Sequence, residues 1–403
     1  MDFELSEDQT LLHDMVDRLA SERHDFRIRR MAIESPTGWH APFWHQLAQL
    51  GVLGAPVPEQ FGGSASGSVT VMLIMRAFGR RLVISPFVPT VVCAAGLLAR
   101  AGSEMQRNEH LPKIVAGERI FAFACSEPGD LGDLGRLQTT AVRNGSGYRL
   151  TGRKTMVVGA AWCDHSLVVA RLAETRELAA FIVPQGAPHM TARHRRLVDG
   201  SRASEIIFDD LFVPEAACIG THGGITEEIE RSVDEAIVAL CAEASGSIDA
   251  LLTSTVAYAK TRRQFGQPIG KFQALQHRMV DMLIAREQSV SITHSAALCL
   301  DGETATRQRA VSAAKAHVGR LGRLAAQAAV QIHGGIGTTD ELDVSHHFRR
   351  IEVLGLQFGT IDDHVRRYAS LMEGPALRYQ HEHRHSTQES VLSYEGELRC
   401  GET

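Results

Sequence analysis

The chain has 403 residues and a formal net charge of −5, with 44% hydrophobic and 22% charged residues. This length allows two or three domains with sizeable cores, and the composition excludes a disordered, fibrous or collagen-like protein. The mildly acidic balance argues against a nucleic-acid partner, and no run of ~18–20 apolar residues indicates a membrane span. The acidic start Met1–Glu4 lacks the basic and then apolar pattern of a secretory signal, so we expect a cytoplasmic protein.

Residues 1–117 are predicted to form a helical domain. Apolar residues recur at helical spacing after Ser6, which can cap a helix that carries Asp8 and Gln9 in its first turn. Further helices are expected over about 42–50, 69–79 and 90–101, and a loop rich in Pro, Gly and Ser covers 56–67.

Residues 118–225 change to short runs rich in β-branched and aromatic residues, which predict a small antiparallel sheet or barrel. The expected strands are Ile120–Ala124, Tyr148–Thr151, Thr155–Val158, Ser166–Ala170, Ala179–Val183 and Glu205–Phe208.

Residues 226–380 return to long, Ala-rich helices over about 230–261, 272–300, 304–332 and 340–373, which predict an antiparallel four-helix bundle. The fold class is therefore α+β. The remaining residues, 381–403, form a polar tail in which His381, His383 and His385 alternate. A solvated tail explains them better than a metal site, which needs rigidly held ligands. The seven cysteines include no C-x-x-C pair, so we expect no zinc site or disulfide framework.

A first motif lies between two predicted bundle helices, where Arg262-Arg263-Gln264-Phe265-Gly266 is followed by Gln273. A guanidinium group can bind a phosphate with two hydrogen bonds, an aromatic ring offers a flat apolar face, and an amide can bind a ligand edge. On these residues alone, a structural joint between two helices is the better interpretation.

A second motif, Gln331–Gly337, ends the next predicted helix with three glycines in four positions. Glycine lets backbone N–H groups approach a ligand closely, although a glycine helix cap is the alternative. A third motif, Cys125-Ser126-Glu127-Pro128, follows a strand and places the Ser126 hydroxyl where it could bind a ligand, or simply forms a turn.

Together, these motifs and their order resemble the acyl-CoA dehydrogenase family. The resemblance covers roughly residues 3–372. The matching segments are Pro58–Gly63 for the family's PEEYGG, Ser126–Pro128 for its T-E-P turn, Gly152–Lys154 for its G-x-K strand, Arg262–Gly266 with Gln273 for its R-x-x-F-G…Q, and Gln331–Gly337 for its Q-x-x-G-G-x-G.

The resemblance implies a helical N-terminal domain, a β-domain and a C-terminal bundle, with dimers or tetramers assembled around FAD. It implies an acyl-CoA substrate and an electron-transfer flavoprotein as acceptor. The residues that it implies at the nucleotide end of a neighbouring subunit's FAD are Arg262, Phe265, Gln273, Gln331, Gly334, Gly335 and Thr360. The flavin ring would lie against the turn at Ser126.

The sequence departs from the family where the chemistry occurs. A carboxylate must remove the proton from Cα of the thioester, but Phe358 stands where the family carries that Glu. The family's alternative base position holds Ala236, followed by Ile237. On the flavin side, Leu131–Asp133 replaces G-S-D, and Met156–Val158 replaces the strand that carries a hydroxyl.

Glu243 is the candidate for a relocated base. It follows Ala236 by seven residues, so it lies on the same helix face about 10 Å along the axis. The alternative is a buried structural carboxylate held by a partner.

Three interpretations remain. The chain is one subunit of a heteromer that resembles the bacterial sterol side-chain acyl-CoA dehydrogenases, in which a partner supplies the base. Alternatively, it is a homomer that uses Glu243, or a non-catalytic scaffold with this fold.

Overall fold

The structure is a computed structural model that describes residues 5–130, 132–220 and 224–372. Leu131 and the predicted tail with its three alternating histidines therefore lie outside the described residues. The N-terminal part contains helices α1 Glu7–Arg23, α2 Phe26–Glu34, α3 Ala41–Gln49, α4 Gly67–Arg81, α5 Gly96–Ala101 and α6 Glu104–Val115. A π-helical stretch, Val88–Ala95, leads into α5. The predicted cap is confirmed, because the Gln9 amide N donates to Ser6 Oγ at 3.2 Å and the Ser6 N donates to Gln9 Oε1 at 3.0 Å.

The middle part is a mixed sheet in which most strand pairs are antiparallel. Its strands are β1 Phe121–Ala124, β2 Thr140–Asn144, β3 Gly147–Val158, β4 His165–Leu172, β5 Leu178–Pro184, β6 Met190–Arg196, β7 Arg202–Pro214 and β8 Cys218–Ile219. The order is β6-β7-β3-β2-β4-β5-β8, and β1 pairs with β4. The β1–β4 and β2–β4 pairs are parallel, which the sequence did not indicate. The long connections between these strands permit that direction.

The C-terminal part contains helices α7 Thr226–Thr261, α8 Gln273–Cys299, α9 Thr304–His333, α10 Asp343–Leu356 and α11 Ile361–Met372. A short hairpin, β9 Arg263–Gln264 and β10 Gln267–Pro268, joins α7 to α8. The prediction of one helix over 340–373 is wrong, because α10 ends at Leu356 and a separate helix, α11, begins at Ile361. Phe358 and Gly359 there have φ values of +55° and +99°, which a continuing helix cannot contain.

Helix α7 is the central element of the fold. By length and composition it could cross a membrane, but 89% of its most apolar 18-residue window is buried inside the protein, as expected for a core helix. Helices α4 and α7 cross with their backbones in contact: a Cβ on Gly79 would lie 1.9 Å from the Glu243 carbonyl oxygen, and one on Gly246 would lie 2.0 Å from that of Arg76. The glycines therefore set how closely the N-terminal helices pack on the bundle.

Buried neutral histidines predict that the fold is sensitive to acid. Burial lowers the pKa of His24 and His364 to about 4 and that of His347 to about 3, and the charge of Arg29 adds to the effect at His24 and His347. Below pH 6.5 the unfolded chain binds protons at these positions and the folded chain does not, so the free energy of unfolding falls as pH falls towards 4.

We expect a loss of about 1 kcal/mol per histidine between pH 6.5 and 5.5. Denaturant unfolding at pH 7.5, 6.5 and 5.5 measures this loss. His24→Gln should make the free energy of unfolding depend less steeply on pH, whereas the substitution His45→Gln, on the surface, should leave this dependence unchanged. A wild-type profile that is flat over this range would contradict the prediction.

Candidate functional site

A small cavity lies at the junction of the three parts of the chain. Its volume is about 50 Å³. Its apolar walls include Phe78, Pro89, Phe123, Met156, Leu240 and Phe358. A cavity of this size has room for no more than a few water molecules. The space beside Phe358 is therefore narrow.

Phe358 lies at the break between α10 and α11, and its ring faces Phe123 with the ring centroids 6.4 Å apart. His364 Nε2 lies 2.8 Å from the Phe358 carbonyl oxygen and holds the turn. The neighbouring Gln357 also lines the cavity, and its buried Nε2 makes no hydrogen bond within the described residues. A phenyl ring has no lone pair for a proton, so this turn holds an inert side chain at the position where the resemblance implies a base.

Glu243 lines the same cavity, but both of its carboxylate oxygens are bound by Arg350. Arg350 Nε donates to Oε1 at 2.6 Å, and a terminal guanidinium nitrogen donates to Oε2 at 2.9 Å. The other terminal nitrogen donates to Asp199 Oδ2 at 3.0 Å. Arg29, fully buried on α2, donates to the carbonyl oxygens of Asp199 and Leu82. This ion network joins α2, the β6–β7 turn, α7 and α10.

The electrostatics favour a structural role for the network. Burial lowers the pKa of Arg350, but the Glu243 and Asp199 carboxylates outweigh it and the net shift is upward. Burial raises the pKa of Asp199, but the charge of Arg350 and the hydrogen bond from Ser201 lower it by more, so the net shift is downward. Glu243 therefore matches the alternative of a buried, paired carboxylate, although it does face the cavity.

Ser126 lies at the start of a turn that packs against the break at Phe358. Its carbonyl accepts from the Thr155 N at 2.9 Å. Next to it, the buried Lys154 Nζ donates to Glu127 Oε1 at 2.7 Å. Burial raises the pKa of Glu127 but the charge of Lys154 outweighs it, so the net shift is downward. Glu127 of the segment that matches T-E-P and Lys154 of the segment that matches G-x-K thus form one ion pair, which fixes the turn. Met156, further along β3, adopts φ +51° at a bulge.

A different group of predicted residues lies exposed on the C-terminal part. Phe265 is 91% exposed at the tip of the β9–β10 hairpin. Phe265 and Gly266 have φ values of +53° and +79°, as in a type I′ turn. A left-handed conformation at Phe265 costs about 1–2 kcal/mol. An exposed aromatic ring held in a strained turn indicates a surface for binding.

Two motifs that are far apart in sequence meet beside this hairpin. The Tyr258 ring stacks on His333 with centroids 4.4 Å apart, which brings the end of α7 to the end of α9. Arg262 follows Tyr258 by one turn and makes no ion pair with any described residue. A Cβ added to Gly334 or Gly335 would meet no atom within 4 Å. Since Gly335 also has no positive φ, the fold itself does not require glycine there.

A groove lined by three arginines is a feature that the sequence analysis missed. Gln331 shares it with Arg278, Arg320 and Arg323, and the groove volume is about 510 Å³. Arg320 and Arg323 share one face of α9 with Gln331, whereas Arg278 lies on α8, so no local sequence pattern brings all three arginines together. Ile361 also lines the groove and follows Thr360, whose hydroxyl donates to Asp363 Oδ2 at 2.6 Å and caps α11.

The structure thus divides the predicted residues into two places. Glu243 and Phe358 line the small cavity, whereas Ser126 does not line it and lies in the turn before Gly132, which packs against Phe358 and Gly359. The exposed set consists of Arg262, Phe265, Gln273, Gln331, Gly334 and Gly335. Thr360 lies between the two, at the start of α11.

Comparison with known proteins covers nearly the whole chain. Family models match the acyl-CoA dehydrogenase N-terminal domain over residues 6–118, the middle domain over 122–211 and the C-terminal domain over 227–370. A subunit of Acetobacterium woodii, "Caffeyl-CoA reductase-Etf complex subunit CarC", is 30% identical over 323 residues, which are 78% of this chain and 85% of that protein.

Solved structures match over a similar extent. The ChsE4-ChsE5 complex from Mycobacterium tuberculosis has a TM-score of 0.86 and 26% identity, covering 93% of this chain and 100% of the matched chain. A "Tcur3481-Tcur3483 steroid ACAD" variant has a TM-score of 0.83 and 27% identity, covering 91% and 98%.

Proposed function

The chain belongs to the acyl-CoA dehydrogenase family, and we propose that it is the subunit of a heteromer that binds the nucleotide end of FAD. Members of this family are oxidoreductases that act on CH–CH bonds, and their cofactor is FAD. In this proposal a second acyl-CoA dehydrogenase-like subunit supplies the catalytic base and the pocket for the acyl group.

One contrast carries the proposal: the chain's own cavity is small and its carboxylate is paired, while its predicted nucleotide residues are exposed. The cavity beside Phe358 measures about 50 Å³, which is too small for an acyl chain and a flavin ring. Its one carboxylate is fully engaged with Arg350. A chain built in this way does not remove the proton from Cα of a thioester.

The exposed set fits the other end of the cofactor. Two phosphate groups need a cation with free donors and backbone N–H groups that can approach closely. Arg262 has no ion-pair partner within the described residues, and Gly334 and Gly335 leave open space in front of their backbone. These residues would hold the nucleotide end of FAD, which would supply the acceptor for the hydride from Cβ of the substrate. This chain's residues orient the nucleotide and leave proton removal to the partner.

A partner subunit also has a surface to cover. An apolar groove of about 620 Å³ lies between α7 and α8, and the exposed apolar residues Val280, Leu283 and Ile284 lie on α8 near it. Such a surface is typical of a subunit interface. We place this interface next to the hairpin of Phe265, within a tetramer.

The printed names of the relatives support a proposal for the substrate and for the acceptor. One matched structure is called a steroid ACAD and another is a complex of two proteins, so we propose a bulky, sterol-type acyl-CoA as substrate. The CarC relative is named for a complex with Etf, and we propose an electron-transfer flavoprotein as acceptor, in the cytoplasm.

Flavin content tests the proposal directly. The chain purified alone is expected to be nearly colourless. Co-expression with an acyl-CoA dehydrogenase-like partner that carries the missing Glu should give a yellow complex with about one FAD for every two chains. Absorbance at the flavin band against protein concentration measures the ratio.

Other results would support the alternatives. One ordered FAD per chain in a homomer would contradict the proposal, and turnover by that homomer that is lost in Glu243→Gln would establish Glu243 as the base. No flavin in any combination of chains would favour the scaffold.

A further inference from the structure

A second cavity lies on the other side of the π-helical stretch and shares no residue with the cavity beside Phe358. Its volume is about 210 Å³, four times that of the first. Val88, Pro89 and Cys93 of the π-helical stretch line the first cavity, while Val92 lines the second. We call this second cavity the α5 pocket, because Gly96 and Arg100 of α5 form one wall.

The size of the α5 pocket is enough for a small organic molecule. An engineered cavity of about 150 Å³ in another protein binds benzene, and this one is larger. Its interior is apolar, with Val71, Met72, Val92, Val238, Ala239 and Leu300 in its lining. Aliphatic walls of this kind favour an apolar ligand over bulk water.

The entrance of the α5 pocket is polar, and its charges balance. Arg100 donates to Glu235 Oε1 at 2.9 Å and to Ser232 Oγ at 2.7 Å. Arg231 Nε donates to the same Glu235 oxygen at 3.1 Å, and Arg231 also pairs with Asp301. Two guanidinium groups thus face two carboxylates. A ligand with a net charge gains no favourable electrostatic energy from charges that already balance, so the rim favours a neutral molecule.

The Arg100 side chain, which lines the α5 pocket, has one donor without a partner within the described residues. Arg100 Nε is buried and makes no hydrogen bond within the described residues. A buried donor without a partner is costly, and a ligand oxygen can satisfy it. Gly96 keeps this end open, since a Cβ there would lie 3.2 Å from both Arg100 and Glu235 side-chain atoms. Glycine within a helix costs about 0.5–1 kcal/mol relative to alanine, so the open space is kept at a cost.

We propose that the α5 pocket binds a small, neutral, mainly apolar molecule with one hydroxyl or carbonyl oxygen that accepts from Arg100. The pocket binds and does not catalyse, because the Ser68 hydroxyl in its lining already donates to the Ala297 carbonyl at 2.8 Å and its Glu235 is already paired. This site is independent of the proposed flavin function, since none of its residues belongs to the nucleotide set.

Phenol is a suitable probe, because its ring matches the apolar interior and its hydroxyl can accept from Arg100. Calorimetric titration of the full-length chain with phenol is expected to show one saturable site with a Kd of roughly 1 mM or tighter. Benzene should bind about 5- to 10-fold more weakly, because it leaves Arg100 Nε without a partner.

Two valines of the π-helical stretch give matched variants. Val92→Phe fills the α5 pocket and should abolish phenol binding. Val88→Phe faces the first cavity and should leave binding intact, while circular dichroism confirms that both variants are folded. Absence of saturable binding to the wild type, or equal binding to both variants, would overturn the proposal. The experiment needs neither flavin nor partner, so its failure leaves the proposed function untouched.

Discussion

Replacing Arg262 by alanine in the assembled complex is expected to weaken FAD binding about 10- to 100-fold. The expected size is that of one hydrogen bond between a charged donor and a phosphate, about 1.5–3 kcal/mol. Arg262 has no ion-pair partner within the described part of the chain, so its loss should cost cofactor affinity and not stability. Titration of the apo-complex with FAD, followed by flavin fluorescence, measures the effect.

The adjacent arginine is the matched control. Arg263 carries the same charge one residue away, but its guanidinium donates to the Gly266 carbonyl at 2.9 Å within the hairpin. Arg263→Ala should leave the Kd for FAD within about threefold of the wild type, as expected for an exposed charge. Equal losses in the two variants would mean that general positive charge, and not the position of Arg262, binds the nucleotide.

Arg350→Met is expected to lower the free energy of unfolding by about 3–5 kcal/mol. The substitution leaves the Glu243 and Asp199 carboxylates buried beside each other without their cation, and removing one partner of a buried ion pair costs this much. Urea unfolding followed by circular dichroism measures the change. Arg323→Met, which breaks the exposed pair with Glu352, should cost no more than about 1 kcal/mol.

The Glu243→Gln variant then distinguishes a structural role of Glu243 from a catalytic one. If Glu243 serves the ion network, this variant loses stability but the assembled complex keeps its turnover. A general base contributes about 10²- to 10⁴-fold to the rate. Loss of turnover on that scale, in a variant that is folded and binds FAD, would contradict our interpretation and make Glu243 the base.

The architecture was predictable because its signals are local. The helical spacing after Ser6, the β-branched runs of the middle part and the long Ala-rich helices each indicate their element within a short window. The break at Phe358–Gly359 was missed because the helical pattern continues through it. Strands β2 and β6 were missed because both carry exposed, charged residues, unlike the buried strands around them.

The candidate site was predictable only in part, and for a related reason. The hairpin and glycine motifs are contiguous in sequence, so their residues could be named before the structure was known. The partners of Glu243 could not be. Arg350 lies 107 residues away and Asp199 lies in another part of the fold. Likewise, Arg278 joins Gln331 only through the packing of α8 on α9.

The exposed ring at the hairpin tip has a consequence for how the protein is made. Phe265 and the apolar residues of α8 remain in contact with water until another chain covers them. A subunit made in excess of its proposed partner would leave this apolar surface exposed and would be prone to self-association. In the proposed heteromer, synthesis of the two subunits in equal amounts would therefore keep this surface covered.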